Sequence, residues 1–235
     1  MTAKRGEMWR KRIDLPAYQV AEAARYARTT PQTIGNWQRV RAGERGAIGP
    51  RERRVGLSYL QLIEVGVVAA MRKSGVRLPK IREARDYLSR EFGSEYPFAQ
   101  YRFKTDGKDI LMDYDQIAGT SAKDKLLVVS EGGQLAWNRI LSNLLKEFDY
   151  ADEDEVVRAW RVAGVDSAIM IDPRVAFGAP QINGIATWVL KERWHSGESV
   201  KDIADDYCLE GPLVFAALEF EGVDVDPDRP NQWVH

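Results

Sequence analysis

Cysteine, histidine and long apolar runs are scarce in this sequence, and each scarcity excludes a class of protein. One cysteine, Cys208, leaves no partner for an intrachain disulfide, and two histidines, His195 and His235, are too few for the usual zinc sites. The longest apolar stretch, 60–71, is interrupted by polar residues and is too short to span a bilayer. The basic segment 1–12 has no apolar segment behind it, unlike a secretory signal. We therefore expect a cytoplasmic protein without a membrane anchor, metal or cofactor.

Charge is unevenly distributed along an otherwise ordinary globular composition. Residues 1–105 carry 22 Lys and Arg against 10 Asp and Glu, whereas residues 106–235 carry 12 against 25. The two halves nearly cancel, to a formal net charge of −1. A basic half suits the phosphate backbone of a nucleic acid, and an acidic half suits a different partner.

The basic half contains a helix-turn-helix pattern. The first helix carries a stripe of small residues, Val20, Ala23, Ala24 and Ala27. Thr30 suits the N-cap of a second helix and Pro31 its first position. The inner side of this second helix is predicted to carry Ile34, Trp37 and Val40.

The opposite side of the second helix carries side chains that can bond base edges in the DNA major groove. These residues are Gln32, Asn36 and Arg39, with Thr33 beside them. Gly35 lies between them and would let the helix approach the base pairs closely. The same residues could also form an ordinary solvated helix face, but the preceding turn and Thr-Pro start favour DNA binding.

Residues 41–54 form a segment rich in glycine and arginine that fits a loop or small wing along phosphates, or else a flexible basic linker. In either case its cations would supply salt-dependent affinity that is independent of sequence. The candidate phosphate contacts are Arg41, Arg45, Arg51, Arg53 and Arg54.

Two more helices are predicted in this half. Ser58 and Gln61 form a capping-box pattern before a helix that is apolar nearly all round and ends at Gly75, which places it in a core or at a subunit interface. Leu78-Pro79 begins the next helix. Its inward residues are predicted to be Ile81, Ala84, Leu88 and Phe92, and its outward ones Lys80, Arg82, Arg85 and Arg90.

Residues 15–92 resemble the MerR superfamily of winged helix-turn-helix regulators. The resemblance rests on segments 18–24, 30–34, 58–64 and 75–84, together with Trp37. It implies a winged domain that binds double-stranded DNA. The sequence lacks the Arg-Tyr-Tyr type of recognition helix and the long coiled coil that are usual there. We still expect a homodimer, because one recognition helix contacts only a few base pairs.

The connector, 101–165, shows no motif for chemistry. An Asp-Gly turn at Asp106-Gly107 predicts a hairpin, Leu126–Ser130 a short strand, and Gln134–Phe148 a helix. Val156–Val162 could be a strand or a helix.

In the acidic half, a short strand at 169–171 is expected to end at Asp172-Pro173, followed by a loop over 177–187 and a helix over Thr187–His195. A second helix-turn-helix pattern then begins at the cap Ser199. Its inner residues are Val200, Ile203, Ala204, Val214, Ala217 and Leu218. We assign the aromatic residues Trp188, Trp194, Phe215 and Phe220 to the core, with one or two available to anchor a partner.

Residues 168–221 resemble a compact domain known only as a domain of unknown function. The shared motifs are Ile169 with Asp172-Pro173, then Gly178, Pro180, Ile182 and Gly184, then Gly197, Ser199, Ile203-Ala204, Tyr207 and Leu209. Such domains occur in bacterial antitoxins, often beside a PIN-type ribonuclease toxin. A MerR-like head followed by this domain resembles a group of VapB antitoxins end to end.

The last predicted helix, 210–221, exposes Glu210, Glu219 and Glu221 and contains no Lys or Arg, so it indicates a surface for protein rather than DNA. The candidate toxin contacts are Glu210, Phe215, Glu219 and Trp233. The tail, 223–235, is either a frayed terminus or an arm that orders on a partner.

Catalysis is not expected, because the sequence offers no combination of a nucleophile, a base and an orienting group. Cys208 is expected to be packed, His195 to interact with a helix dipole, and Asp205-Asp206 to be solvated. We expect a mainly α protein with small β-hairpins. Its parts are a basic DNA-binding domain over 1–100, a connector over 101–165, an acidic three-helix domain over 166–222 and a tail over 223–235.

Two functions fit this organisation. One is an antitoxin that represses its own operon through the basic domain and neutralises a PIN-type toxin mainly through the acidic part. The other is a stand-alone MerR-like regulator whose C-terminal domain serves dimerisation or ligand sensing.

Overall fold

The structure is a computed structural model, and it describes residues 8–40, 45–52, 54–100, 103, 142, 146–150 and 156–225. The chain divides into two compact units, unit 1 (Met1–Arg158) and unit 2 (Ala159–His235).

The described part of the chain is mainly helical with a small antiparallel sheet, as the sequence predicts. The α-helices are α1 (Val20–Tyr26), α2 (Pro31–Gln38), α3 (Tyr59–Lys73), α4 (Leu78–Phe92), α5 (Thr187–His195), α6 (Val200–Tyr207) and α7 (Gly211–Phe220). The strands are β1 (Phe148–Tyr150), β2 (Val157–Trp160), β3 (Met170–Ile171), β4 (Pro180–Ile182) and β5 (Ile185–Ala186). Short 3₁₀ helices lie at Pro97–Ala99 and Ala176–Gly178.

Helix α3 forms the centre of unit 1. It begins with the predicted capping box. Ser58 Oγ accepts a hydrogen bond from the backbone N–H of Gln61 at 3.2 Å, and the side-chain Oε1 of Gln61 accepts one from the backbone N–H of Ser58 at 2.9 Å. Residues 59–68 are all buried, which fits a helix that is apolar nearly all round. Helices α1 and α4 and the 3₁₀ turn at Pro97–Ala99 pack against α3. The described residues of unit 1 therefore bury α3 within the protomer.

Two expectations about side-chain direction in unit 1 are wrong. Lys80, Arg82 and Arg85 are buried, although the amphipathic pattern of α4 placed them outward. Val40 is 70% exposed, although it was expected to lie beside Ile34 and Trp37. The helix ends at Gln38 and the next residue is extended, so the helical spacing that placed Val40 inward no longer applies.

The connector is described only near its end. The expected hairpin at Asp106-Gly107, the strand Leu126–Ser130 and most of the helix Gln134–Phe148 lie outside the described residues. Phe148 itself begins strand β1 rather than ending a helix, because Phe148 and Tyr150 are buried and alternate with the half-buried Asp149. Within Val156–Val162, where strand or helix was left open, Val157–Trp160 form strand β2.

Within unit 2 the short strands form an antiparallel ladder: Trp160 of β2 pairs with Ile171, Met170 pairs with Gln181, and Gln181 pairs with Ala186. The loop expected over 177–187 therefore contains a hairpin. Its turn is Asn183-Gly184, with φ angles of 50° and 90°. An Asn-Gly pair is a strong hairpin signal, and the sequence carried it.

The three helices of unit 2 match their predicted positions. Helix α5 spans Thr187–His195 as expected, and Ser199 caps α6 by accepting from the Asp202 amide at 3.1 Å. Helix α7 packs against both α5 and α6. The buried residues of α6 and α7 are Ile203, Ala204, Val214, Ala217 and Leu218. No helix among the described residues is long and apolar enough to cross a membrane.

Candidate functional site

The start of α2 is held by the cap that the sequence predicts. Thr30 Oγ1 accepts a hydrogen bond from the Thr33 amide at 3.1 Å, and Pro31 occupies the first turn. In the preceding turn, Arg28 adopts a left-handed conformation with φ of 51°, and the Thr29 amide donates to the Ala24 carbonyl at 2.8 Å. Ile34 and Trp37 are buried, so α2 closes over the small residues of α1 and has a defined outer face.

The outer face of α2 presents amide groups to solvent. Gln32 and Asn36 are exposed, and Gln32 Nε2 lies 3.5 Å from Asn36 Oδ1. Gly35 lies between them, and a Cβ built on it would meet nothing within 4 Å. Thr33 is half-buried, with its hydroxyl 2.9 Å from that of Thr30. Gln32 and Asn36 thus share an unobstructed helix surface, and Thr33 supports the cap.

The end of α2 is anchored by a residue that sequence reasoning missed. Arg82 of α4 is buried and donates from Nη2 to the Asn36 carbonyl at 3.2 Å. The Ala47 amide donates to the Trp37 carbonyl at 2.7 Å. Carbonyls at a helix C-terminus lack helical partners, and a cation there also complements the helix dipole. The orientation of the outer face is therefore set from both ends of α2.

The basic segment after α2 is a held loop rather than a free linker. The Gly49 amide donates to Glu64 Oε2 at 2.5 Å, and Gln61 Nε2 donates to the Pro50 carbonyl. Ala47 and Ile48 are buried. The described residues of this loop, 45–52 and 54–57, contain no strand, and the only regular pairing there is a bridge between Leu57 and Tyr18.

The loop arginines differ in their availability to a ligand. Arg45 is largely exposed and pairs with Asp86 at 3.1 Å. Arg54 is exposed, with φ of 68°. Arg51 is half-buried and donates from Nη1 to the Val55 carbonyl at 2.7 Å, so part of its donor capacity is used within the loop. Arg39, directly after α2, is exposed. The other two candidates, Arg41 and Arg53, lie outside the described residues.

Beneath this loop lies a buried ion pair that the sequence pattern did not indicate. Arg85 Nε lies 3.1 Å and 3.2 Å from the two carboxylate oxygens of Glu64, and its guanidinium also donates to the Glu95 carbonyl. Burial raises the pKa of Glu64 to about 7, against the opposing effects of Arg85 and the Gly49 amide. The pair therefore joins the loop to α3 and α4.

A cavity of about 510 Å³ opens beside the loop. Its lining includes Gln38 at the end of α2 and Val40 two residues later, together with Arg45 and Ile48 from the loop and Arg85 from α4.

Unit 2 has a separate surface dominated by carboxylates. Its described residues 159–225 contain 5 Lys and Arg against 11 Asp and Glu. Two of the candidate contacts, Glu210 and Glu219, are exposed, whereas Phe215 is half-buried. Glu221 was expected to be exposed but is half-buried, with Oε1 2.5 Å from the hydroxyl of the buried Thr187. The fourth candidate, Trp233, lies outside the described residues.

Two other expectations for unit 2 are wrong. Trp188 was assigned to the core, but it is 55% exposed. Cys208 was expected to be packed, but it is exposed at the C-cap of α6, where it has a left-handed conformation with φ of 53°. Among the described residues no cluster of three potential metal ligands is present.

Known proteins resemble this chain over part of unit 2 and over most of its length. Residues 169–220 match the family described as "Protein of unknown function (DUF433)". A Mycobacterium tuberculosis protein named "Putative antitoxin VapB45" is 26% identical over 227 residues, which cover 88% of this chain and 95% of that protein. The chain is similar to this protein along most of its length.

A solved structure supports the same similarity. The X-ray crystal structure of Rv2018 from Mycobacterium tuberculosis matches with a TM-score of 0.72 and 27% sequence identity. The match covers 88% of this chain and 99% of the Rv2018 chain. The similarity to these two Mycobacterium tuberculosis proteins thus covers most of this chain, in sequence and in structure.

Proposed function

We propose that this chain is the antitoxin of a bacterial toxin–antitoxin pair. Unit 1 binds double-stranded DNA at the chain's own operon and represses it, with the protein acting as a homodimer. Unit 2 binds the cognate toxin, a PIN-type ribonuclease. The protein works by binding and is not an enzyme.

The observation that carries the DNA-binding part is the outer face of α2. Gln32 and Asn36 are exposed on either side of an open Gly35, on a helix anchored by Thr30 at its start and Arg82 at its end. Amides of this type can each bond an adenine edge at two points. Exposed Arg39, Arg45 and Arg54 lie nearby in sequence and supply phosphate contacts.

The toxin-binding part is supported by the VapB-like similarity and by charge. A ribonuclease holds an anionic substrate with basic residues, and the excess of carboxylates in unit 2 complements such a surface. The same excess makes unit 2 a poor ligand for DNA.

DNA binding is tested by fluorescence anisotropy with DNA from upstream of the gene and with scrambled DNA, at two salt concentrations. Asn36→Ala and Arg39→Ala should each weaken specific binding by about 1–3 kcal/mol and leave the melting temperature unchanged. Lys73→Ala, which removes an exposed cation at the end of α3, is the matched control and should retain the specificity ratio. Unchanged affinity in both α2 variants would contradict the assignment of α2.

The toxin-binding part is tested by co-expression with the product of the neighbouring gene. Co-purification of the two proteins and loss of ribonuclease activity in the complex are the expected results. Full ribonuclease activity in the presence of excess antitoxin would contradict neutralisation.

The cavity beside the basic loop favours one second candidate, a ligand-responsive regulator. Its lining touches both the end of α2 and the loop, so an occupant could change their separation. A small molecule that changes operator affinity in the anisotropy assay, without any toxin present, would favour this function.

A further inference from the structure

Trp188 is the most exposed aromatic side chain on the α-helices of unit 2. It lies in the first turn of α5 and is 55% exposed, whereas Trp194, Phe215 and Phe220 are half-buried. An indole left in water forgoes the stabilisation that burial of its large apolar surface would give the fold. A single exposed apolar residue is common on protein surfaces, so its surroundings decide its meaning.

One exposed carboxylate shares a face of α5 with Trp188, and another lies at the end of the neighbouring helix α7. Glu192 follows it by four residues on the same face of α5 and is exposed. The hydroxyl of Thr187 lies 2.5 Å from Glu221 Oε1, and Lys191 Nζ donates to the Glu221 carbonyl at 3.2 Å. These two bonds bring the end of α7, with its exposed Glu219, against the first turn of α5.

Two cations of unit 2, Arg174 and Arg193, are paired with carboxylates, whereas Lys191 lies three residues from Trp188 on α5 and keeps its charge. Arg193 is paired with Glu198 and with Asp206, Arg174 is paired with Asp172, and Lys191 bonds a carbonyl. By contrast, Glu192 and Glu219 make no ion pair with the described part of the chain. Together with Glu221, these carboxylates outnumber Lys191, so the surface around the indole is negative on balance.

We propose that Trp188, Glu192 and Glu219 form the docking surface for a protein partner with an apolar pocket bordered by Lys or Arg. We call these three residues the Trp188 surface. Under the proposed function, on which this inference rests, the partner is the toxin and its basic border is the part that holds RNA. A buried tryptophan at the centre and charged residues at the rim are the usual arrangement of an interface hot spot.

The test uses the full-length chain and the PIN-type protein encoded beside it, with affinity and rates measured by surface plasmon resonance. Trp188→Ala should weaken the complex by about 30-fold or more. Trp188→Phe should recover most of that loss. Leu15→Ala is the matched control, because Leu15 is also 55% exposed but lies in unit 1, and it should bind as the unchanged chain does.

A second variant tests the charge independently of the indole. Glu192→Lys with Glu219→Lys should slow association about tenfold at low salt, and the deficit should shrink as salt is added. Both variants should keep the melting temperature and the affinity for operator DNA, which shows that unit 1 is unaffected.

The outcomes separate this inference from the proposed function. If the unchanged chain binds the toxin and Trp188→Ala binds equally well, the Trp188 surface is wrong and the antitoxin function stands. If the unchanged chain does not bind the toxin at all, the proposed function fails and this inference fails with it. If Trp188→Ala instead converts a dimer to a monomer in light scattering, the surface joins two copies of this chain and the inference is overturned.

Discussion

The buried pair between Glu64 and Arg85 gives a prediction whose size follows from the structure. The Glu64 side chain is completely buried and the Arg85 side chain is 4% exposed. In Glu64→Ala, the Arg85 guanidinium and the Gly49 amide both lose their carboxylate acceptor while they remain largely buried. Breaking a buried pair in this way costs about 3–5 kcal/mol, a large part of the 5–15 kcal/mol that stabilises a typical domain.

The measurement is the free energy of unfolding in urea at about pH 8.5, above the pKa of Glu64, so that the pair is ionised; unfolding is followed by circular dichroism. Glu64→Ala is expected to lose about 3 kcal/mol or more. The double variant Glu64→Met with Arg85→Met should recover part of it, because no charge remains buried alone, although the Gly49 amide still lacks its acceptor. The control is Arg90→Ala, which breaks the Asp86 pair on the surface of α4. It should cost less than about 1 kcal/mol. Equal losses in Glu64→Ala and Arg90→Ala would refute the reasoning.

The same residue predicts a pH dependence. The pKa of Glu64 is about 7 in the folded protein against 4.5 for the ordinary carboxyl, because burial disfavours the charged form. Between these values only the unfolded chain releases the proton, so rising pH favours unfolding. The contribution of Glu64 is therefore greatest below pH 4.5 and falls, by about 3 kcal/mol at most, as the pH approaches 7. Glu64→Gln should lose this component, and a component of opposite sign would show that attraction to Arg85 outweighs burial.

Three further substitutions test the helix-turn-helix geometry. Gly35→Ala should stabilise α2 by about 0.5–1 kcal/mol in a melting experiment. Under the proposed function it should also weaken operator binding, because a methyl group would then face the bases; tighter binding would contradict the proposed approach of α2. Thr30→Ala should cost about 1 kcal/mol of unfolding free energy through loss of the cap, with Thr30→Ser as the conservative control. Gly46→Ala should cost about 1–3 kcal/mol, because its Cβ would lie 2.9 Å from the Ile48 carbonyl oxygen and 3.1 Å from that of Gln38; a loss under 0.5 kcal/mol would show that the loop moves freely.

The elements that sequence reasoning located correctly are those whose signals are local. The caps at Thr30, Ser58 and Ser199 each bond an amide three residues away, so the pattern and the bond lie in the same short segment. The same holds for the inner residues of α6 and α7, which follow helical spacing over a few turns.

The misplaced residues have partners far along the chain. Arg82 bonds a carbonyl 46 residues earlier, and Arg85 bonds a carboxylate 21 residues earlier. Helical periodicity treats an arginine as polar and therefore predicts that it lies on the exposed face. The neighbouring sequence does not show that a buried acceptor is supplied by a distant part of the chain. For Trp188 the error is the opposite one, since the residue was predicted to be buried and is exposed. Hydrophobicity alone predicts burial, but it does not show which aromatic residues a small three-helix unit can cover.

The anchoring of α2 at both ends separates the residues that support the helix from those that face outward. Thr30, Trp37 and Arg82 hold α2 in place through a cap, burial and a hydrogen bond to a carbonyl. The side chains of Gln32 and Asn36 are exposed, and within the described part of the chain they hydrogen-bond only to each other. Substitutions at the two outward positions therefore leave the fold nearly unchanged in stability. Under the proposed function, such a protein can diverge toward a new operator by changing two amides, and duplicated copies in one genome can become insulated from each other's promoters without passing through an unstable intermediate.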